Sequence, residues 1–121
     1  MLSNLIKSGD WKEEKHVPVI HVEKAKKGEC VGVKVIIGEE QPHPNTFEHH
    51  ISWIKLFFKP ESGKAPLEIG EVKFSSHGES DVSTNYVGNF CFNTEEEGTL
   101  YAMSFCNIHG LWESEEELKF E

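Results

Sequence analysis

Near the C-terminal end of the chain, a thiol and an imidazole stand three residues apart, in the segment CNIHG of residues 106–110. Cysteine thiolates and neutral imidazoles both bind transition metals, and a Cys-x-x-His pair at the end of a sandwich strand also occurs in blue-copper sites. The same spacing is compatible with a structural turn. The chemistry of Cys106 and His109 therefore depends on which other residues converge on them.

Three more histidines stand in segments that could supply further ligands. His16 lies in EKHVP, and His43 and His49 lie in HPNTFEHHI. A lone histidine such as His16 is more often a surface or packing residue, but prolines on both sides of His43 stiffen its backbone. His49 and His50 are neighbours at a predicted strand start and point to opposite faces, so only one of them is expected to share a site with His43.

The elements that must position these residues are predicted to be β-strands, because apolar and polar residues alternate over most of the chain. The segment CVGVKVIIG (residues 30–38) places its β-branched residues on one face, which is typical of a strand. Glycine, proline and asparagine separate such runs. Seven strands are predicted, over residues 17–24, 29–38, 49–59, 67–75, 84–93, 99–106 and 111–119. Short antiparallel strands at this spacing predict an all-β sandwich.

The number of strands determines where the candidate ligands fall. If successive strands run up and down, three segments lie at the same end of the sandwich: the one before the first strand, the second-to-third connection and the sixth-to-seventh turn. These segments hold His16, His43, His49, Cys106 and His109. The pattern therefore predicts one site of four imidazoles and a thiolate, which an immunoglobulin-like interaction domain without a metal would not explain.

This ligand set favours iron over zinc or copper. Structural zinc takes four ligands, fewer than are available here. A blue-copper site uses two histidines, one cysteine and a weak axial methionine, whereas neither methionine nor glutamine stands among the five residues after His109. Five protein ligands and one open position suit an iron that handles a small oxygen species.

Composition excludes several classes of function. The 121 residues are expected to form a single domain, residues 1–121, with a net charge of −9 and no arginine, which argues against nucleic-acid binding. No apolar run is long enough for a signal peptide or a membrane span, so a cytoplasmic protein is expected. The acidic runs at 95–97 and 113–117 are interpreted as solvated surface.

The other two cysteines are interpreted differently from Cys106. An odd number of cysteines without a signal peptide argues for reduced thiols. Cys30 and Cys91 lie in apolar alternating runs, so they are expected to be buried core thiols. The tryptophans and Met103 are likewise expected in the core.

Over nearly its whole length the sequence resembles the superoxide reductases. All three ligand-bearing segments occur in the order typical of that family, with one departure at Phe47, where a smaller polar residue is common. The length resembles the one-iron form, neelaredoxin, which lacks the cysteine-rich N-terminal domain of the two-iron desulfoferrodoxins. The matching segments are SGDW (8–11), EKHVP (14–18), HPNTFEHHI (43–51), HGES (77–80) and CNIHGLWE (106–113).

The resemblance implies a seven-stranded immunoglobulin-like fold and a role for each site residue. One iron per chain would be bound by four equatorial imidazoles and one axial thiolate. Glu14 matches the carboxylate that occupies the sixth position in the ferric state, and Lys15 matches a cation beside the open position. The implied iron ligands are His16, His43, His49, His109 and Cys106.

The implied activity is one-electron reduction of superoxide to hydrogen peroxide. The resemblance also implies rubredoxin as the electron donor and a homotetramer as the assembly. The alternative is a non-catalytic iron electron-transfer or metal-binding module on the same sandwich. The presence of Glu14 and Lys15 favours the reductase over this alternative, because a pure electron carrier does not require an open position that a side chain can close.

Overall fold

The computed structural model describes residues 1–121 and contains seven strands and two short 3₁₀ turns, Leu2–Asn4 and Glu79–Asp81. All strand pairs are antiparallel, and they form two sheets of order β1-β2-β5 and β4-β3-β6-β7. The strands are β1 Val19–Val22, β2 Val31–Ile36, β3 Ile51–Pro60, β4 Leu67–Lys73, β5 Val87–Phe92, β6 Gly98–Cys106 and β7 Gly110–Leu118. The predicted all-β sandwich of seven strands is confirmed.

The two sheets enclose one hydrophobic core because their strands bury every second residue. On β2, Val31, Val33 and Val35 are buried while the residues between them are more exposed. On β3, Ile54 and Leu56 are fully buried and belong to the same core cluster of 16 residues. Burial of each such aliphatic side chain stabilises the fold by about 1.5–3 kcal/mol, so this alternation determines which faces of the sheets meet.

The strand order brings three chain segments to one end of the sandwich. The segment before β1, the β2–β3 connection and the β6–β7 turn all lie where β3 begins and β6 ends. Ile51 of β3 pairs with Cys106 of β6, and Cys106 pairs in turn with Gly110 of β7. A register irregularity between Ile51 and Trp53 marks the beginning of β3. The expected convergence of the ligand segments is therefore confirmed.

The expectation of buried, reduced thiols at Cys30 and Cys91 is wrong. Both residues are exposed, and they are joined by a disulfide with 5.7 Å between their Cα atoms. The physical reason is that successive side chains of a strand point to opposite faces. Val31 is buried, so its neighbour Cys30 lies on the outer face. Cys91 pairs with Gly32, which is on that same outer face. Cys106 is the free, buried cysteine.

None of the helical segments has the length and apolar character needed to cross a membrane.

Candidate metal centre

Five side chains from the three converging segments surround one point at the end of the sandwich. His16 precedes β1, His43 and His49 lie in the β2–β3 connection, Cys106 is the last residue of β6 and His109 stands in the β6–β7 turn. Ligating atoms of four of them lie within 4.8 Å of one another, namely those of His16, His49, Cys106 and His109. The fifth, His43, approaches the group through its Nε2 atom, 3.6 Å from Cys106 Sγ.

The four imidazole rings form a square. Neighbouring ring centroids are separated by 4.8 Å between His16 and His43 and by 4.6 Å between His43 and His49. The other two sides measure 5.0 Å between His49 and His109 and 4.9 Å between His16 and His109. The His16–His49 diagonal is longer, at 6.4 Å. Four nearly equal sides and a longer diagonal place the rings around a common centre.

Cys106 lies on the protein side of this square. Cys106 is completely buried, whereas His109 is exposed. Its Sγ atom is 3.8 Å from His109 Nδ1 and accepts a hydrogen bond from the His109 backbone N–H at 3.4 Å. That backbone bond tightens the turn and directs the sulfur and the Nδ1 atom towards the same space.

Hydrogen bonds at the outer nitrogens determine which ring nitrogens face inward. His16 Nδ1 donates to Glu14 Oε1 at 2.6 Å, and His43 Nδ1 donates to the Pro44 carbonyl at 2.7 Å. The Nε2 atoms of both rings are left facing the shared space. An outer hydrogen bond of this kind is how metal-binding histidines are usually oriented.

The residues fit a transition-metal ion. The clearest observation is His49 Nε2, which is buried without a hydrogen-bond partner. A buried polar nitrogen without a partner costs about 1–3 kcal/mol, and an ion would remove that cost. Nitrogen and thiolate donors together suit iron, copper or zinc rather than magnesium or calcium. The number of donors exceeds that of a four-coordinate site.

Burial also keeps the imidazoles in the form that binds metals. Desolvation lowers the pKa of His43 to about 4, and it lowers the pKa of His49 as well. Burial likewise lowers the pKa of His16, although the nearby Glu14 carboxylate opposes this. These rings therefore remain neutral near neutral pH and keep a lone pair for a metal.

The two predicted catalytic residues stand beside the square. Burial by itself would raise the pKa of Glu14, but hydrogen bonds from the ring and backbone N–H of His16 outweigh it and lower the pKa. Glu14 thus lies at the outer nitrogen of His16 as an anion. Lys15 is half-buried and forms no ion pair with a carboxylate. Its charge contributes to the low pKa values of His43 and His49.

Sequence reasoning missed several residues that support the ligands. Tyr86 donates its hydroxyl to the Pro44 carbonyl at 2.8 Å and accepts the Ile51 N–H at 3.2 Å, so it holds both ends of the ligand-bearing connection. Ser104 Oγ donates to the His16 carbonyl at 3.0 Å. No sequence signal identifies such tyrosines and serines, because only the sheet register brings them close.

Asn107 and Trp112 could have been singled out, since they lie within the segment that carries Cys106. Asn107 Oδ1 accepts the His50 N–H at 2.8 Å and its Nδ2 donates to the Glu48 carbonyl at 3.0 Å. The Trp112 ring stacks on His16 with 4.6 Å between centroids and 10° between planes. Trp112 is buried as expected, but it is packed against the site.

The remaining histidines lie outside the square. His50 stacks on His77 with 3.7 Å between ring centroids, which confirms that it points away from His49. His21 is exposed on β1 and its Nε2 pairs with Glu39 at 2.9 Å.

Comparisons with known proteins agree with this geometry. A sequence model of the family described as desulfoferrodoxin matches residues 8–115. The chain belongs to the desulfoferrodoxin family. It is 56% identical over 119 residues to the superoxide reductase of Thermococcus kodakarensis, covering 98% of this chain and 100% of that protein.

Further members of the desulfoferrodoxin family are similar in both sequence and structure. The neelaredoxin of Megalodesulfovibrio gigas is 44% identical, over 93% of each chain. The solved structure of the superoxide reductase (neelaredoxin) from Archaeoglobus fulgidus in its reduced form superposes with a TM-score of 0.90 at 50% identity, over 96% of this chain and 99% of that one. The sandwich of this chain is thus a fold already known in superoxide reductases.

Proposed function

We propose that this protein, a superoxide reductase by family, reduces superoxide to hydrogen peroxide at one mononuclear iron per chain. The reaction consumes one electron and two protons for each superoxide anion. The proposed iron ligands are the imidazoles of His16, His43, His49 and His109 and the thiolate of Cys106. Iron bound by this set would supply a one-electron Fe(II)/Fe(III) couple with a sixth position open to a small anion.

The convergence of five soft or borderline donor atoms on one space carries this proposal. A structural turn alone would not explain three features that a single bound ion would explain. These are the square of four rings, the fully buried thiol and the buried His49 Nε2 without a hydrogen-bond partner. Neutral imidazoles leave the positive charge of a bound ion largely uncompensated, so the site would attract an anion.

Lys15 is proposed to attract superoxide to the site. The chain carries a net charge of −9, which would repel an anion at long range. Lys15 is half-buried, unpaired and close enough to lower the pKa of three ligand histidines, His16, His43 and His49. Its ammonium group would create a local positive field and could hold a water molecule that protonates the product.

Glu14 is proposed to close the sixth position in the ferric state. Both of its hydrogen bonds to His16 use the Oε1 atom, which leaves Oε2 free of His16. One oxygen could therefore continue to orient His16 while the other is available to the ion. Because an anion prefers the more highly charged ferric state, reduction would release the carboxylate and free the position for superoxide.

The electron donor, the assembly and the compartment are proposed from the family resemblance. Rubredoxin would return the electron, four copies would form a homotetramer, and the reaction would take place in the cytoplasm. Residues 1–121 would act as one iron-binding domain in each copy.

The deciding experiment measures iron content and the visible spectrum of the oxidised protein beside Cys106→Ser. About one iron per chain, a thiolate charge-transfer band that this variant loses, and rapid oxidation of the ferrous protein by superoxide are expected. The double variant Cys30→Ser/Cys91→Ser is the matched control, because it removes two sulfurs far from the square and should keep the band.

Azide added to ferric Glu14→Ala should bind about tenfold more tightly than to the parent protein if Glu14 closes the sixth position.

Zinc or copper in place of iron, or no metal after reconstitution with iron, would refute the proposed site. A ferrous protein that binds iron but does not react with superoxide would favour the non-catalytic electron-transfer module instead.

A further inference from the structure

One buried histidine lies outside the metal centre and takes no part in the function proposed above. His77 stands between β4 and β5, and only 7% of its surface is exposed. Its ring contacts the connection between β2 and β3 rather than any of the five proposed ligands. Its two ring nitrogens form hydrogen bonds to two different segments of the chain.

Both ring nitrogens of His77 face hydrogen-bond acceptors. Nε2 is 2.7 Å from the Phe74 carbonyl oxygen, which can only accept. Nδ1 is 2.8 Å from Asn45 Oδ1. The orientation of that amide is determined by its other end, because Asn45 Nδ2 donates to the Thr84 carbonyl at 2.8 Å. The His77 ring therefore lies within hydrogen-bond distance of both the end of β4 and the loop that contains Asn45.

Two neighbouring residues hold His77 in place. The His50 ring stacks on the His77 ring with 8° between the planes, and His50 Nδ1 donates to the Thr46 carbonyl at 2.9 Å. The Glu79 carboxylate accepts the His77 backbone N–H at 2.5 Å, and that hydrogen bond lowers the pKa of Glu79.

We propose that His77 is a positioning residue for the loop of residues 43–50, which carries His43 and His49, and that it acts through its hydrogen bond to Asn45. Asn45 lies between two residues that contact the proposed ligands. The Pro44 carbonyl accepts the His43 ring N–H. Thr46 forms two backbone hydrogen bonds with His49, at 3.0 and 3.2 Å. His77 thus ties Asn45 to the end of β4, and Asn45 ties His77 to Thr84.

This inference rests on the iron site proposed above only in assigning His43 and His49 as ligands. The contacts of His77 exist in the fold whether or not the protein reduces superoxide. Its test therefore uses measurements that need no superoxide, so that a failure of the proposed activity is distinguishable from a failure of this inference.

The first measurement is the protonation of the His77 ring. The full-length chain is labelled with ¹⁵N and loaded with diamagnetic zinc in place of iron, and the imidazole nitrogens are assigned by NMR at neutral pH. A proton on Nδ1 of His77 is expected, because this nitrogen would donate to Asn45 Oδ1. A His77 ring without a proton on Nδ1 in the folded protein would overturn the inference.

The second measurement is the release of iron to a chelator from His77→Gln. Loss of one hydrogen bond to the loop should speed release about tenfold, the lower range for residues that orient metal ligands. The visible band of the ferric protein should shift as His43 and His49 move. His21→Gln is the matched control, because it removes an exposed histidine paired with Glu39 and should change neither quantity.

Asn45→Ala provides an independent test if His77→Gln does not fold. It leaves the His77 ring in place but removes its acceptor, so faster iron release and faster exchange of the His49 amide are expected. If both measurements equal those of the His21→Gln control, His77 and Asn45 do not position the ligands, and the inference is wrong.

Discussion

The orientation of single side chains sets the chemistry of the metal centre. His16 and His43 each use one ring nitrogen for an outer hydrogen bond, to a carboxylate in one case and to a carbonyl in the other. Donation to a carboxylate makes an imidazole a stronger electron donor than donation to a carbonyl does. The two ligands are therefore expected to be unequal, and Glu14 influences the site even when it is bound only to His16.

The first prediction concerns Lys15, the unpaired cation beside the square. Lys15→Ala should slow the reaction of the ferrous protein with superoxide by about 3- to 10-fold at low ionic strength, because it removes local attraction for an anion. The rate should also become less dependent on added salt. Stopped-flow or pulse-radiolysis kinetics at several salt concentrations measure both effects.

Lys64→Ala is the matched control for this experiment. It removes the same charge from the β3–β4 connection, at the opposite end of the sandwich, and should leave the rate almost unchanged. Equal rates for the two variants would contradict a steering role for Lys15, provided that both bind iron equally.

At the scale of elements, the β6–β7 hairpin contains two proposed ligands and one glycine in the left-handed region. Cys106 pairs with Gly110, so a loop of only three residues connects the strands. Gly110 has a φ of +81°, in the left-handed region that residues with a Cβ rarely adopt. Asn107 ties this loop to the residues next to His49. Hydrogen bonds therefore connect the turn that holds Cys106 and His109 to both neighbours of His49.

The second prediction tests that backbone position. Gly110→Ala should destabilise the protein by about 1–2 kcal/mol in urea unfolding, because the φ is strained for alanine although no atom lies within 4 Å of the added Cβ. Iron should also be released faster, since the strain falls on the residue next to His109. Gly9→Ala is the control: its added Cβ has no contact closer than 3.9 Å and its φ is not left-handed. Equal stability of the two variants would contradict the argument.

At the scale of the whole molecule, the candidate metal centre and the disulfide lie at opposite ends of the sandwich. The centre joins segments where β3 begins, whereas Cys30 and Cys91 join the beginning of β2 to the end of β5. The disulfide links residues 61 positions apart. A cross-link over that span reduces the conformational freedom of the unfolded chain.

The third prediction is that Cys30→Ser/Cys91→Ser is less stable than the parent protein by about 2–4 kcal/mol. Urea unfolding measures the difference, and a reducing agent should destabilise the parent protein but not the variant. The visible spectrum of the iron should be the same in both, because neither cysteine contacts the square. Three free thiols in the unfolded, unreduced parent protein would show that the disulfide does not form.

Much of the fold and of the candidate site was predictable from the sequence. Alternation of apolar residues identified seven strands because a strand buries every second side chain. The ligand segments could be placed at one end because antiparallel order makes connections alternate between the two ends. The outward position of Cys30 could also have been predicted from the alternation, because its neighbour Val31 is buried.

Only the tertiary structure decided which groups orient the ligands. Ser104 reaches the His16 carbonyl across 88 positions of the chain, and His77 reaches Asn45 across 32. Such contacts depend on strand register and on which edges of the two sheets meet. Serine, tyrosine and asparagine occur at many surface positions without such roles. The residue types and their spacing therefore determined the proposed ligand set, while the packing of the two sheets decided which groups hold each of these side chains.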